Sequence, residues 1–410
     1  MPDPGPVTCA GCALLCDDVT IEPSGDGVRL EPPCPLGAQW FSERARRPAS
    51  APAATIRGQA AGVEAALNRA AELLRGARRP LIYGFDGATV EDARAAVALA
   101  DRLGALVVPG GLAGAWPGAP ALPLRGASSA TLGEIRDRSQ VVVIWREDPL
   151  TSHPRLLERL GFVDGSADGS PRRAWRGTRT LVVLDDRDTA TAARADLRLR
   201  WARERDLEAL TCLRAMQRGV AARSSDLGDA LGGLLERLGE VPHAAFVYGP
   251  ALSSGAGGQR RALALHELVR ALCGDRHVVT LALPSAAGAT GAEDVLTWQT
   301  GYCGSVDLAG GHPELVTATR PLMADEGVDV SLCIEGGLSP APAGVAEIAL
   351  GSLPARGDAE VSIHTAAAGV EATGTAHRLD GVPLALQAPL ARDAPSAAAL
   401  LARLLAEIER

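Results

Sequence analysis

The stretch Arg79-Pro-Leu-Ile-Tyr-Gly-Phe-Asp-Gly-Ala-Thr89 decides the fold class of this 410-residue chain. A short apolar run meets two glycines, and Thr89 can then cap a helix that extends to about Leu103. A second apolar run follows from Leu106 to Val108. This order of elements predicts a β-α-β unit whose two strands are parallel.

Further apolar runs predict similar units along the rest of the chain. Continuous apolar strands that alternate with helices are typical of parallel sheets covered on both faces. Ligand sites in such sheets lie beyond the carboxyl ends of the strands. We therefore expect an α/β fold with parallel, Rossmann-like sheets. The runs are Val141 to Trp145, Leu181 to Leu184, Phe246 to Tyr248 and Val330 to Ile334, and helices from Leu207 to Leu238 separate two such blocks.

The length of 410 residues predicts several domains, because a chain this long exceeds the size that a single hydrophobic core reaches. We expect a cysteine-bearing segment at 1–55 that ends in a Pro/Ala-rich linker. An α/β domain with dinucleotide-type loops is expected at 56–200 and a second α/β domain at 201–360. A C-terminal segment at 361–410 is expected to return to the body.

Composition indicates a globular protein, with 47% apolar and 22% charged residues. The net charge of −8 argues against a nucleic-acid-binding surface, which needs a broad cationic face. We expect no membrane association and a cytoplasmic location, since there is neither a membrane-length apolar run nor a signal-peptide pattern in Met1 to Val7. All 41 basic residues are Arg, so a P-loop Lys and a Schiff-base Lys are both excluded.

Four cysteines near the start of the chain follow the pattern C-x2-C-x3-C-x17-C. A compact turn can direct three thiolates inward while a remote fourth completes the set, which is how a [4Fe-4S] cluster is held. Four thiolates also suit structural zinc, and an empty cradle is the third alternative. A disulfide framework is not expected in a cytoplasmic chain. The predicted metal ligands are Cys9, Cys12, Cys16 and Cys34.

Two loops after predicted strands have residues that suit a dinucleotide. In the loop 185–191 a carboxylate can accept from guanine or ribose, while Arg and Thr side chains can reach phosphates. In the loop 249–255, backbone N–H groups at the start of a helix suit a phosphate. Helix caps and tight turns use the same residue types, so each loop has a structural alternative. The candidate cofactor-binding residues are Asp185, Arg187, Thr189, Thr191, Gly249 and Ser253.

The histidines and one loop cysteine are ambiguous. His153, His377 and His312 could bind anions or act in acid–base chemistry. A structural hydrogen bond or a subunit contact is the favoured explanation for His153 and His377, because nothing supplies a paired nucleophile. Cys303 lies in a glycine-rich loop and could approach a ligand, although a free Cys is more often part of a core.

Several segments together resemble the B subunit of formylmethanofuran dehydrogenase, in an order and spacing that extend through nearly the whole chain. Within that group the chain looks most similar to the B subunits of the bacterial formyltransferase/hydrolase complex, which serves tetrahydromethanopterin-linked one-carbon oxidation. The segments are Cys9–Asp18, Thr131–Glu134, Asp148–Pro149, His153–Arg155 and Gly374–Pro383.

The resemblance implies a molybdopterin-oxidoreductase body, in which an iron-sulfur segment precedes α/β domains. Those domains would hold a bis-pterin guanine dinucleotide with tungsten or molybdenum. The loop 185–191 fits the Asp-x-Arg-x-Thr-x-Thr pattern of the family. The resemblance also implies A, C and D subunits as partners, with hydrolysis of a formylated methanofuran analogue on A and formyl transfer from formyl-tetrahydromethanopterin on D.

The sequence departs from the redox-active pattern of the family at two places. A Cys that ligates the metal is expected near Gly114 to Trp116, but no Cys occurs between Cys34 and Cys212. The Lys that normally follows the fourth cluster Cys is also absent from Pro35 to Phe41. We therefore predict a non-redox scaffold subunit with no catalytic residue of its own. There are two alternatives. The first is a redox-active subunit with an unusual metal centre, and the second is a cofactor-binding protein that belongs to no complex.

Overall fold

A computed structural model describes residues 5–24, 27–46, 51–110, 122–162, 179–220, 225–316, 327–336, 344–354 and 359–410. The chain divides into two compact units: residues 1–116 with 286–410 form unit 1, and residues 117–285 form unit 2. The predicted boundaries at residues 55, 200 and 360 do not coincide with this division, because strands from both halves of the chain share the sheet of unit 1.

The strands alternate with helices in each unit, so the predicted α/β class with parallel sheets is confirmed. The strands are β1 Thr20–Ser24, β2 Gly27–Glu31, β3 Ala54–Ile56, β4 Gln59–Ala61, β5 Pro80–Gly84, β6 Leu106–Pro109, β7 Val141–Trp145, β8 Thr180–Leu184, β9 Leu197–Leu199, β10 His243–Tyr248, β11 His277–Ala282, β12 Ser305–Asp307, β13 Glu314–Val316, β14 Val330–Ile334, β15 Ala346–Gly351, β16 Val361–His364, β17 Gly374–His377 and β18 Pro383–Leu386.

The helices include the two predicted after β5 and β10. They are α1 Pro35–Ala45, α2 Val63–Gly76, α3 Val90–Leu103, α4 Leu122–Arg125, α5 Leu132–Arg138, α6 Pro149–Ser152, α7 Leu156–Arg159, α8 Asp206–Gln217, α9 Ser225–Gly239, α10 Pro250–Ser253, α11 Gly258–Leu272, α12 Ala289–Thr300 and α13 Ala397–Glu409. Single 3-10 turns lie at Ala192–Arg194 and Arg203–Arg205.

The sheet of unit 1 has the strand order β13-β12-β6-β5-β14-β15-β16-β3-β4. The strands from β6 to β16 in this order are parallel, and the strands at both edges are antiparallel. The chain moves from β5 to β6 on one side, whereas β14, β15 and β16 follow on the other side. The strand order therefore reverses between β5 and β14, and this switch point is where open α/β sheets bind ligands.

The sheet of unit 2 has five parallel strands in the order β11-β10-β7-β8-β9. Its switch point lies between β7 and β10, because β8 and β9 follow on one side of β7 and β10 and β11 are added on the other. The segments after β7, β8 and β10 thus share the carboxyl edge of this sheet.

Local sequence signals account for the first β-α-β unit. Thr89 and Asp92 form a reciprocal cap at the start of α3: the Thr89 hydroxyl accepts from the Asp92 N–H at 3.1 Å, and the Asp92 carboxylate accepts from the Thr89 N–H at 2.9 Å. The helix ends at Gly104, whose φ of 62° suits glycine. Apolar side chains from α2, α3, α12 and α13 pack with the sheet into one core.

Among the helices of the described residues, none combines the length and the apolar character needed to cross a bilayer.

Candidate functional site

The first three predicted metal ligands lie in a tight turn. The Cys9 N–H donates to the Cys16 carbonyl at 2.8 Å, and the Leu15 N–H donates to the Cys12 carbonyl at 3.2 Å. Leu15 takes a left-handed φ of 41°, which reverses the chain between the second and third cysteines. Cys34 lies immediately before α1, at its N-cap.

The four thiols are close enough to interact electrostatically. The pKa of Cys12 is raised to about 12, mainly by burial and to a smaller extent by the neighbouring Cys16 and Cys34. Burial also raises the pKa of Cys9 far above its usual range, and all three other cysteines add to this effect. The Gly11 N–H, which donates to the Cys9 sulfur at 3.4 Å, opposes it only in part. Cys9 and Cys12 therefore favour the protonated thiol unless a group with positive charge binds beside them.

The described residues contain no group of three or more His, Cys, Asp or Glu side chains placed around a single metal ion. A four-thiolate zinc site needs every sulfur about 2.3 Å from one point. A [4Fe-4S] cluster binds each thiolate at a different iron, so its cysteines surround a larger volume. The four cysteines, of which Cys9 and Cys16 are buried and Cys12 and Cys34 half-buried, interact with one another and are compatible with this second requirement.

The C-terminal hairpin holds the cysteine segment in place. The Leu379 N–H donates to the Ala13 carbonyl at 2.9 Å. The Thr8 N–H donates to the Gln387 side chain at 2.8 Å, and the Thr8 hydroxyl donates to the Ala385 carbonyl at 2.9 Å. The two segments are separated by more than 300 residues in sequence, so only the tertiary fold brings them together.

A polar cluster occupies the carboxyl ends of β14, β15 and β16 in unit 1. Glu335 follows β14 with a left-handed φ of 44°. Its carboxylate accepts from the Ser352 hydroxyl at 2.8 Å, from the Ser352 N–H at 3.1 Å and from the Thr365 hydroxyl. Arg44 interacts electrostatically with both Glu335 and Cys9, which places one cation within range of the cluster and the cysteine segment.

Glu335 makes the stability of the protein depend on pH. Burial raises its pKa from 4.5 to about 7, although the hydrogen bonds to Thr365 and Ser352 oppose this shift. The folded state then binds the Glu335 proton more tightly than the unfolded state does, so this stabilisation is present below pH 4.5 and is lost as pH rises through 7. The unfolding free energy of the wild type should therefore fall between pH 5 and pH 8. We expect this fall to be smaller in Glu335→Gln by roughly 1–3 kcal/mol, as measured by thermal unfolding at several pH values.

Glu360 supplies the control for this prediction. Side-chain hydrogen bonds from Arg57 and Arg69 lower its pKa, so its contribution is lost only as pH falls. We expect Glu360→Gln to leave the slope between pH 6 and pH 8 unchanged. Equal slopes for wild type and Glu335→Gln would contradict the assignment to Glu335.

The predicted loop 185–191 lies at the carboxyl edge of unit 2, directly after β8. Asp185 is buried and binds the Arg187 guanidinium through both carboxylate oxygens, at 3.0 and 2.7 Å. The Arg187 side chain is 56% exposed. The Thr189 hydroxyl accepts from the Ala192 N–H at 3.0 Å, and the buried Thr191 hydroxyl donates to Asp148. Among the four predicted residues of this loop, Arg187 has the most access to solvent.

Gly249 and Ser253 lie on the same edge, after β10. The Ser253 hydroxyl donates to the Gly249 carbonyl at 3.1 Å and thus closes the short helix α10. A Cβ atom at Gly249 would lie 2.6 Å from a carboxylate oxygen of Glu147. The absence of a side chain at Gly249 therefore allows the Glu147 carboxylate to approach the backbone closely.

The segment after β7 contains charged residues that the sequence analysis did not single out as binding candidates. Glu147 is 9% exposed, and its carboxylate accepts from the Ala251 N–H at 2.8 Å. Asp148 accepts from the Thr191 N–H at 3.0 Å. Arg146 takes a φ of 60° and binds the buried Asp206. In the sequence, the only sign that Glu147 and Asp148 could belong to the site is their position directly after a predicted strand. Their proximity to loops 185–191 and 249–255 depends on the order of the strands in the sheet.

The ambiguous histidines have structural partners. His153 is buried between the Pro284 carbonyl at 3.1 Å and the Ser152 hydroxyl at 3.0 Å, and burial lowers its pKa to about 4. His377 pairs with Asp294 at 2.6 Å, and the ring of the exposed Trp298 packs against its edge.

The remaining ambiguous residues are His312 and Cys303. His312 lies 3.1 Å from Glu314, and its side chain is 67% exposed. Cys303 is buried, and burial raises the pKa of its thiol to about 11.

Comparisons with known proteins find relatives among formylmethanofuran dehydrogenase B subunits. The B subunit of the tungsten-containing formylmethanofuran dehydrogenase 2 of Methanocaldococcus jannaschii is 29% identical over 406 residues, which cover 93% of this chain and 92% of that protein. The chain resembles formylmethanofuran dehydrogenase B subunits along nearly its whole length. The resemblance predicted from the sequence segments is thereby confirmed. No family model matches the chain.

The second group of relatives is bacterial. The B subunit of the Fhc formyltransferase/hydrolase complex of Methylorubrum extorquens is 28% identical over 266 residues, which cover 64% of this chain and 68% of that protein. The crystal structure of the FhcABCD complex from the same organism, determined with methylofuran, contains a chain with a TM-score of 0.70 and 26% identity. The match covers 87% of this chain and 99% of that chain.

The position expected for the metal-ligating Cys of a redox-active relative, Gly114 to Trp116, lies outside the described residues. The sequence itself has no Cys there or anywhere between Cys34 and Cys212.

Proposed function

We propose that the chain is the B subunit of a formyltransferase/hydrolase-type complex in tetrahydromethanopterin-linked one-carbon metabolism. In this proposal it is a non-redox scaffold in the cytoplasm, and A, C and D subunits are its partners. The likeness to the Fhc B subunit and to a chain of the FhcABCD structure supports the assembly. The observation that carries the non-redox part is the absence of any Cys between Cys34 and Cys212. Soft thiolate ligation tunes tungsten and molybdenum centres, so its loss argues against redox chemistry.

We also propose that the body is of the molybdopterin-oxidoreductase type, with a structural [4Fe-4S] cluster on the N-terminal segment. Cys9, Cys12, Cys16 and Cys34 would be its ligands. A cluster would supply the positive charge that favours the ionised form of Cys9 and Cys12, whose pKa burial raises. Because the Lys expected after Cys34 is absent, this segment is proposed to stabilise the fold rather than to conduct electrons.

The alternative is a redox-active subunit that binds a tungsten or molybdenum bis-pterin. Two observations favour it: the four cysteines lie together, and the relative that is 29% identical is described as tungsten-containing. In this case Asp185, Arg187, Thr189, Thr191, Gly249 and Ser253 would contact the guanine dinucleotide. The bound metal would supply the redox chemistry that interconverts carbon dioxide, two electrons and a proton with formate.

Metal analysis of the complex purified without oxygen tests the proposal. We expect about four irons per chain for a [4Fe-4S] cluster, with tungsten, molybdenum and pterin far below stoichiometry, and A, C and D subunits in the same preparation. Tungsten or molybdenum near one per chain, together with pterin, would overturn the non-redox proposal. If the chain purifies alone from cells that also produce the A, C and D subunits, the proposed complex is wrong.

Cysteine variants separate the cluster from adventitious iron. We expect Cys12→Ser to lose most of the iron and the visible absorbance of the cluster, because one of four ligands is removed. Cys212→Ser is the matched control and should retain both, since Cys212 lies on α8 in unit 2. One zinc per chain that is lost in Cys12→Ser would instead support the zinc alternative.

A further inference from the structure

Two glycines face each other where the turn of residues 9–16 meets helix α1. Gly11 lies between the first two cysteines, and Gly37 lies in the first turn of α1. A Cβ atom at Gly11 would lie 3.1 Å from the Gly37 Cα, 3.3 Å from the Gly37 nitrogen and 3.3 Å from the Leu36 carbonyl oxygen. All three obstacles are backbone atoms, so a side chain at Gly11 would push the turn and the helix apart.

Gly37 also lies between the turn and the fourth cysteine. A Cβ atom at Gly37 would lie 3.0 Å from the Cys9 sulfur and 3.8 Å from the Cys34 Cβ. It would lie 2.5 Å from a methyl group of the buried Leu30, so Gly37 is also packed against β2. The Cys9 sulfur therefore lies against the backbone of the helix that begins at Cys34.

Backbone conformation does not explain why these two positions are glycine. Neither Gly11 nor Gly37 has a positive φ, so an L-amino acid could adopt the backbone angles of both. The space at each position is what a larger residue would lack.

The contact also brings one cysteine sulfur to the beginning of a helix. The first hydrogen bond within α1 joins the Ala38 N–H to the Cys34 carbonyl at 2.9 Å. The first turn of a helix carries partial positive charge, which stabilises a thiolate and the more reduced state of a bound cluster.

We propose that Gly11 and Gly37 are positioning residues whose contact sets the distance between Cys34 and the turn of residues 9–16. That distance determines the volume that the four sulfurs enclose, and so how tightly they hold a cluster. The inference rests on the proposed function, because it assigns a role to residues beside the proposed [4Fe-4S] ligands.

Iron release from the purified full complex tests this role. We expect Gly11→Ala to release iron to bathophenanthroline disulfonate without oxygen at least threefold faster than wild type does, because Cys34 is moved away from the other ligands. The midpoint potential of the cluster should become more negative, since the helix start is then farther from the Cys9 sulfur. Gly76→Ala is the matched control: Gly76 is exposed in the same unit, and no atom lies within 4 Å of an added Cβ. An unchanged rate and potential in Gly11→Ala, or equal changes in Gly76→Ala, would overturn the proposal.

Disulfide formation after removal of the metal tests the same contact without a cluster. Diamide oxidises pairs of thiols, and the reaction depends strongly on the distance between the two cysteines. In the chelator-treated complex we expect Cys34 to form a disulfide with a cysteine of the turn at least threefold faster in wild type than in Gly11→Ala, as measured by mass spectrometry of peptides.

The disulfide measurement separates this inference from the proposed cluster. Equal rates in wild type and in Gly11→Ala would overturn the positioning role even if the wild type contains four irons per chain. A slower reaction in Gly11→Ala, together with wild type that contains no iron, would support the positioning role and overturn the cluster alone. Circular dichroism of Gly11→Ala checks that the body of the chain is folded, and Gly37→Ala should change both rates in the same direction as Gly11→Ala.

Discussion

Asp206→Ala is expected to destabilise unit 2 by about 3–5 kcal/mol. The Asp206 carboxylate is completely buried and binds the Arg146 guanidinium at 3.0–3.1 Å. It also accepts from the indole N–H of Trp145 at 3.1 Å and of Trp201 at 2.9 Å. The variant leaves two indole donors without this acceptor, and the buried Arg146 guanidinium keeps only Asp186 and the Trp201 carbonyl as partners.

Urea unfolding followed by tryptophan fluorescence measures this effect, because two of the affected side chains are themselves tryptophans. Asp188→Ala is the matched control: its carboxylate is 79% exposed and pairs with Arg198 and Arg200 at the surface. Exposed pairs contribute about 1 kcal/mol or less. Similar unfolding midpoints for the two variants would show that the Arg146–Asp206 pair does not anchor the segment that precedes Glu147.

Gly288→Ala is expected to destabilise unit 1 by about 3 kcal/mol or more, or to prevent its folding. An added Cβ would lie 2.1 Å from the Phe85 carbonyl oxygen and 2.7 Å from that of Ala88. The Gly288 N–H also donates to the Asp86 carbonyl at 2.9 Å. Because both obstacles are backbone atoms, the loop after β5 and the start of α12 must separate to admit the methyl group.

This separation would also disturb the cysteine segment, since Leu15 packs with Ala287 in a small buried cluster. We therefore expect Gly288→Ala to lose iron as well as stability, which iron analysis and thermal unfolding can measure together. Gly76→Ala is the control, because Gly76 is exposed at the end of α2 and no atom lies within 4 Å of an added Cβ. An unchanged melting temperature for Gly288→Ala would contradict the close contact.

The amino-acid sequence by itself determined the elements that depend on neighbouring residues. The reciprocal cap of Thr89 and Asp92, the buried run of β7 and the turn of Cys9 to Cys16 follow from local patterns. The likeness to formylmethanofuran dehydrogenase B subunits was also visible in the sequence, because it rests on motifs in a fixed order.

Only the tertiary structure decided which distant residues meet. Sequence spacing predicts that β7, β8 and β10 are strands, but it does not give their order in the sheet. That order brings Glu147 to Gly249 and Asp148 to Thr191, and it shows a protein carboxylate at the place where the sequence predicted a phosphate. The four-cysteine segment was the clearest local signal, yet its support comes from a hairpin more than 300 residues away. Such contacts depend on sheet order and on chain return, which local periodicity does not encode.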